Sequence, residues 1–121
     1  MKVLHIDESP DIRELYEDMF IADDHSVKSV NSGKKGLEIV MNNNYDLILL
    51  DMNMPDYTGM QFLRDLKNKR PSELKKVVVV SVLKFHEMEV KELLKLGIHS
   101  VESKPSDFKT IMDLQRNILL K

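Results

Sequence analysis

The chain has 121 residues, 18 Lys+Arg against 20 Asp+Glu for a formal net charge of −2, and 42% hydrophobic and 31% charged residues. These values describe one globular domain, expected over 1–121, and argue against a disordered tail or a basic nucleic-acid binder. Zero cysteines exclude a disulfide framework and thiolate metal sites. The longest apolar stretch, Val77–Leu83, contains Ser81 and falls far short of the roughly 18 residues that span a bilayer.

The start, Met1-Lys2-Val3-Leu4, runs at once into His5 and Asp7, which reads as a cytoplasmic chain without a signal peptide. Lys2–Ile6 is a short apolar strand. Ser9-Pro10 reads as an N-cap followed by proline in the first helical turn, where its missing N–H costs nothing. Ile12, Leu15, Tyr16, Met19 and Phe20 then form a helical stripe. Asp23-Asp24 marks a turn, and His25–Val30 is a more polar strand. Leu37, Val40 and Met41 predict a second helix, ended by Asn42-Asn43-Asn44.

Leu47–Leu50 is a third strand, apolar throughout, followed by a loop over Asp51–Tyr57. Thr58 and Gln61 have capping-box spacing, and Phe62, Leu63 and Leu66 give the next helix its buried face. Val77–Val80 is a β-branched fourth strand. Val90, Leu93 and Leu94 mark a helix stopped by Gly97. Ser100–Ser103 is a mostly polar fifth strand, and Phe108, Ile111, Leu114 and Ile118 build a last helix.

This β-α alternation implies an α/β fold, a doubly wound five-stranded parallel sheet with five helices on its two faces. Strands buried on both faces are continuously apolar, and edges tolerate polar residues. The third and fourth strands are therefore inner and the second and fifth are edges. The order 2-1-3-4-5, the flavodoxin-like one, satisfies this and opens a crevice at the carboxyl ends of the first and third strands.

Asp7-Glu8 ends the first strand and Asp51, 44 residues on, ends the third. Two unit charges about 4 Å apart repel by roughly 4 kcal/mol at an effective dielectric near 20. Three carboxylates gathered there need protons, a basic neighbour or a cation, and all-oxygen ligands in an incomplete cage point to Mg²⁺. Ser81 ends the fourth strand with a hydroxyl, and Lys104-Pro105 follows the fifth with an ammonium. Carboxylate nucleophile, cation, hydroxyl and ammonium together describe a site for a phosphoryl group.

Ile6-Asp7-Glu8, Leu49-Leu50-Asp51-Met52-Asn53-Met54-Pro55, Gly59, Ser81 and Lys104-Pro105, in that order, resemble the two-component response-regulator receiver domain along the whole chain. The resemblance implies that Asp51 accepts a phosphoryl group from a phosphohistidine on a sensor histidine kinase or phosphotransfer protein. It implies that Asp7, Glu8, Asp51 and the backbone carbonyl of Asn53 hold Mg²⁺, and that Ser81 and Lys104 bind the phosphoryl oxygens. It places a downstream protein partner on the face of the fourth helix, fifth strand and fifth helix. No direct nucleic-acid contact and no membrane insertion are expected.

Three positions depart from the family's habits. Val101 stands where a switch aromatic is usual, Val82 where alanine or glycine is usual, and Leu83 flanks the path of attacking water. These motivate expectations of a narrowed site, slow self-dephosphorylation, and Phe85 substituting for the missing aromatic. A turnover phosphatase using D-x-D is disfavoured because Asn53 cannot donate a proton as a carboxylic acid would. A flavin module is disfavoured because Asp7-Glu8 would repel its phosphate. The chain is thus expected to be no enzyme beyond its own phosphorylation and dephosphorylation. The alternative is a receiver-fold adaptor that works independently of phosphorylation. Ending at Lys121, it is expected to be a stand-alone receiver or a fragment of a longer protein.

Overall fold

Where the sequence is continuously apolar the backbone is extended, and where apolar residues recur at helical spacing it is coiled. The computed structural model describes residues 1–81 and 85–103. In chain order these form β1 (Lys2–Ile6), α1 (Pro10–Ala22), β2 (Ser26–Val30), α2 (Gly33–Asn42), β3 (Leu47–Asp51) and α3 (Gly59–Lys69). A 3₁₀ segment (Pro71–Lys76), β4 (Val77–Ser81), α4 (Glu87–Lys95) and β5 (Ser100–Ser103) follow. The expected last helix over Phe108–Ile118 lies outside the described residues, as do Val82, Leu83 and Lys104.

The strands pair in parallel in the order β2-β1-β3-β4-β5, as composition required. Every residue of β3 and β4 is buried, whereas no residue of β2 is fully so. Side chains alternate between faces along each strand. Leu4, Ile6, Ile48, Leu50, Val77 and Val79 therefore pack on one face against α2, α3 and Leu93 of α4. Val3, Leu47, Leu49, Val78 and Val80 pack on the other against Tyr16 and Phe20 of α1.

The caps are those the sequence marked. Ser9 Oγ accepts from the Ile12 N–H at 3.4 Å. Thr58 and Gln61 exchange both bonds of a capping box, at 2.9 and 3.1 Å. Gly97 ends the α4 region at φ +105, a conformation that costs a side-chain-bearing residue about 1 kcal/mol or more.

One expectation needs correction. Leu15 is not part of the buried stripe but 42% exposed. Tyr16 and Phe20 fill the contact with the sheet, and Leu15 sits about 100° round the helix from Tyr16. His25 is half-buried edge-on to Phe20 with Nε2 3.0 Å from Asp23 Oδ2. No element was expected before β4; the stretch there is the 3₁₀ segment, anchored by buried Glu73 between Arg70 (2.8 Å) and Lys76 (2.6 Å). Arg70 also donates to the Val40 carbonyl at 2.6 Å, satisfying a terminal carbonyl of α2.

Candidate functional site

Strand register assembles the site. Ile6 pairs with Leu50 and Asp51 pairs with Val80, so Asp7, Asp51 and Ser81 end three neighbouring strands at one sheet edge. Adjacent strands lie about 4.8 Å apart. Asp7 is fully buried, and Asp51 and Ser81 are only 5% and 1% exposed. Ser81 in turn pairs with Ser103, the residue before Lys104 in the sequence.

The two buried carboxylates are held by main-chain donors. The Ser9 N–H donates to Asp7 Oδ1 at 3.0 Å, and the Asn53 N–H donates to Asp51 Oδ1 at 3.1 Å. His5 Nε2 lies 3.7 Å from Asp7 Oδ2, with its ring edge-on to Tyr16 at 4.8 Å. Arg13, on the first turns of α1, donates to the Asp7 carbonyl at 2.7 Å. The Asn53 side-chain amide donates to Ser81 Oγ at 3.4 Å, a long bond that links the ends of β3 and β4.

Glu8 departs from the expectation of three crowded acids. It is exposed and lines a recess of about 70 Å³ with Asn31, Ser32, Gly33, Met54, Pro55, Asp56 and Tyr57. Among the described residues no three acidic or histidine side chains converge as a ready cation cage. Asp7 continues the buried end of β1, whereas Glu8 falls in the bend that follows, where loop shape leaves its side chain exposed. Asp7 and Asp51 together still offer buried hard-oxygen donors of the kind Mg²⁺ takes, one or two carboxylates beside water and phosphate oxygens. The residues present fit that ion.

Gly59 sets how closely α3 approaches Asp51. A Cβ there would lie 2.4 Å from Met52 Sδ, 2.7 Å from Met52 Cα and 3.0 Å from the Asp51 carbonyl oxygen. The Gly59 N–H donates to the Met52 carbonyl at 3.3 Å. Tyr57, two residues before Gly59, donates its hydroxyl to Asp65 on α3. Burial, then the Asp65 hydrogen bond and charge, push its pKa well above the usual tyrosine range. Burial also raises the carboxyl of Glu102 on β5.

Arg13, the Tyr57–Asp65 pair, the His5–Asp7 approach and the Asn53–Ser81 bridge were not foreseen as site features. Only the six-residue spacing from Asp7 to Arg13 carried a signal, since it returns the side chain from the first turns of α1 toward the strand end. Val101 and Phe85 are both partly buried against the α2/α3-side core. Met54 is buried.

Residues 3–116 match the response regulator receiver domain, and the chain belongs to that family. It is 38% identical over 84 residues to the aerobic respiration control sensor protein ArcB of Escherichia coli (strain K12), covering 67% of this chain and 10% of that protein. The chain thus spans about a tenth of the length of that relative. Among solved structures, the Francisella response regulator 1452 receiver domain superposes with a TM-score of 0.84 at 24% identity, over 97% of this chain and 94% of that one. The receiver domain of sensor histidine kinase PA1611 from Pseudomonas aeruginosa PAO1, with a magnesium ion coordinated in its active site cleft, gives 0.86 at 16% identity, over 99% and 98%. At those identities the two structures speak for the fold. No helix among the described residues is long and apolar enough to cross a membrane.

Proposed function

We propose that this chain is the phosphoacceptor of a two-component relay, with Asp51 taking a phosphoryl group from a phosphohistidine of a sensor histidine kinase or phosphotransfer protein. The observation that carries the reading is the meeting of buried Asp7, Asp51 and Ser81 at one edge of three paired strands. An Asp51 carboxylate oxygen attacks phosphorus, the P–N bond breaks, and the imidazole departs. Mg²⁺, when bound, neutralises charge on the transferring oxygens.

Asp7, Asp51 and the carbonyl of Asn53 would hold the ion, with Glu8 acting from the rim through water. The Asn53 N–H keeps one Asp51 oxygen fixed, which leaves the carboxylate oriented before the donor arrives. Ser81 would leave its long bond from Asn53 to meet a phosphoryl oxygen, and Lys104 would supply a second contact. Val82 and Leu83 would restrict water, giving a slowly lost acyl phosphate. The chain acts on itself and not as a turnover enzyme, as one receiver unit over 1–121 in the cytoplasm.

The downstream partner would meet the α4–β5 side. Glu87, Glu89, Lys91, Glu92 and Lys95 are exposed there, with Met88 70% and Leu94 43% exposed. Because Val101 replaces the usual aromatic, Phe85 is the candidate to transmit the change. Coupling of about 1–3 kcal/mol would shift partner affinity roughly 5- to 150-fold. Spectra of the chain with Mg²⁺ and beryllofluoride test the reading. Magnesium-dependent shifts at Asp51, Ser81 and α4 support it, and an unchanged spectrum would leave the phosphorylation-independent adaptor.

A further inference from the structure

We propose that Tyr57 is a positioning residue that latches the loop between β3 and α3, through Asp65 on one side and Gly33 on the other, and thereby holds Asn53 in place. The inference rests on the proposed phosphoacceptor role of this site and adds a residue to it. The loop runs from Met52 to Thr58 and carries Asn53, whose N–H orients Asp51 and whose side chain reaches Ser81. Its base is closed where the Gly59 N–H meets the Met52 carbonyl at 3.3 Å. Those bonds fix the loop's base but do not tie it to the helices beside it.

Tyr57 adds a tether just before α3. Its hydroxyl donates to the Asp65 carboxylate, tying the loop to α3. Its ring and carbonyl press on the first residue of α2: a Cβ on Gly33 would lie 2.6 Å from Tyr57 Cδ1 and 2.9 Å from the Tyr57 oxygen. The same position would lie 3.3 Å from Met54 Cε, so the buried methionine next to Asn53 shares that seat. A flexible loop is thus held between two helices that are themselves packed on the sheet core. Hydrogen bonds to charged acceptors are among the stronger ones, and a half-buried one resists competition from water. Tyr57 also walls the recess that Glu8 lines. Loosening the latch would therefore disturb the loop on both sides of the acid edge.

A role in packing alone predicts something different, because phenylalanine keeps the ring in the Gly33 seat and removes only the latch. The test compares the full chain with Tyr57→Phe, Asp65→Ala and the double variant. Two quantities are read: the Kd for Mg²⁺ by calorimetry, and amide hydrogen exchange at Asn53 and Gly59 relative to β1. Each single change should weaken Mg²⁺ binding about three- to tenfold, below or at the low end of the effect of direct ligand partners. Each should also speed exchange at residues 53 and 59 severalfold without touching β1. The double variant should be no worse than either single one, since both remove the same bond. Wild-type exchange and Kd in both single variants, or losses that add in the double, would overturn the latch. A wild-type chain that binds no Mg²⁺, with residues 53 and 59 still loosened by Tyr57→Phe, would support the latch and overturn the cation reading instead.

Discussion

Gly59→Ala tests whether the close seating of α3 against the β3 end is what keeps the acceptor loop in shape. The new Cβ would lie 2.7 Å from Met52 Cα and 3.0 Å from the Asp51 oxygen, both main-chain atoms, where ordinary contact begins at 3.4 Å. Helix and strand end must separate by the difference, 3.4 − 2.7 = 0.7 Å, because backbone cannot swing aside as the Met52 side chain can. Overpacking of this kind costs about 1–3 kcal/mol. Reduced freedom of the unfolded chain returns about 0.4–1 kcal/mol. The net loss is about 1–2 kcal/mol, or a fall in Tm of roughly 3–8 °C for a domain of this size. The same displacement carries Asp51 away from its aligned position, and misplacements near 1 Å cost up to about 100-fold in rate. Thermal melting and the rate of phosphorylation by acetyl phosphate with Mg²⁺ are the paired assays. A Tm and a rate both equal to wild type would refute the reasoning.

Other outcomes are expected elsewhere in the molecule. Glu73→Ala removes the buried partner of Arg70 and Lys76; both cations are part-exposed and recover water, so the loss should be about 1–2 kcal/mol in denaturant melts, below the cost of a fully buried pair. Tyr45 and Tyr57 both bind their protons more tightly folded than unfolded, so stability should be fully present below pH 10 and fall as pH rises beyond it. Tyrosinate absorbance followed with melting checks this, and Tyr57→Phe should remove part of the fall. Phe85→Ala should leave phosphorylation of Asp51 intact while abolishing its effect on partner affinity, read by binding before and after beryllofluoride.

Fold and site were legible to different depths. The uninterrupted apolar composition of Leu47–Leu50 and Val77–Val80, against the polar Ser26–Val30 and Ser100–Ser103, carried the strand order. Burial on two faces favours a near-continuous apolar run in an inner strand. The Ser9-Pro10 and Thr58/Gln61 caps were equally plain, because capping depends on neighbours in sequence. Leu15 was misplaced because a helical stripe gives a face but not its width, which is set by what it packs against. The segment Pro71–Lys76 escaped because its anchor, Glu73 between Arg70 and Lys76, has no apolar period. Asp7 and Asp51 were readable as strand-terminal acids. The outward side chain of Glu8, the Tyr57–Asp65 bond and the Asn53–Ser81 bridge depend on loop shape, which spacing does not encode.

We propose Asp51 as the acceptor. Labelled phosphoryl transfer from a phosphorylated sensor-kinase histidine domain to this chain, with Mg²⁺ and then with excess chelator, tests it most directly. Label should appear on the chain with Mg²⁺, little with chelator, and none in Asp51→Asn, whose melting curve stays cooperative. Label that persists on Asp51→Asn, or a wild-type chain that takes none from any kinase or from acetyl phosphate, would contradict it.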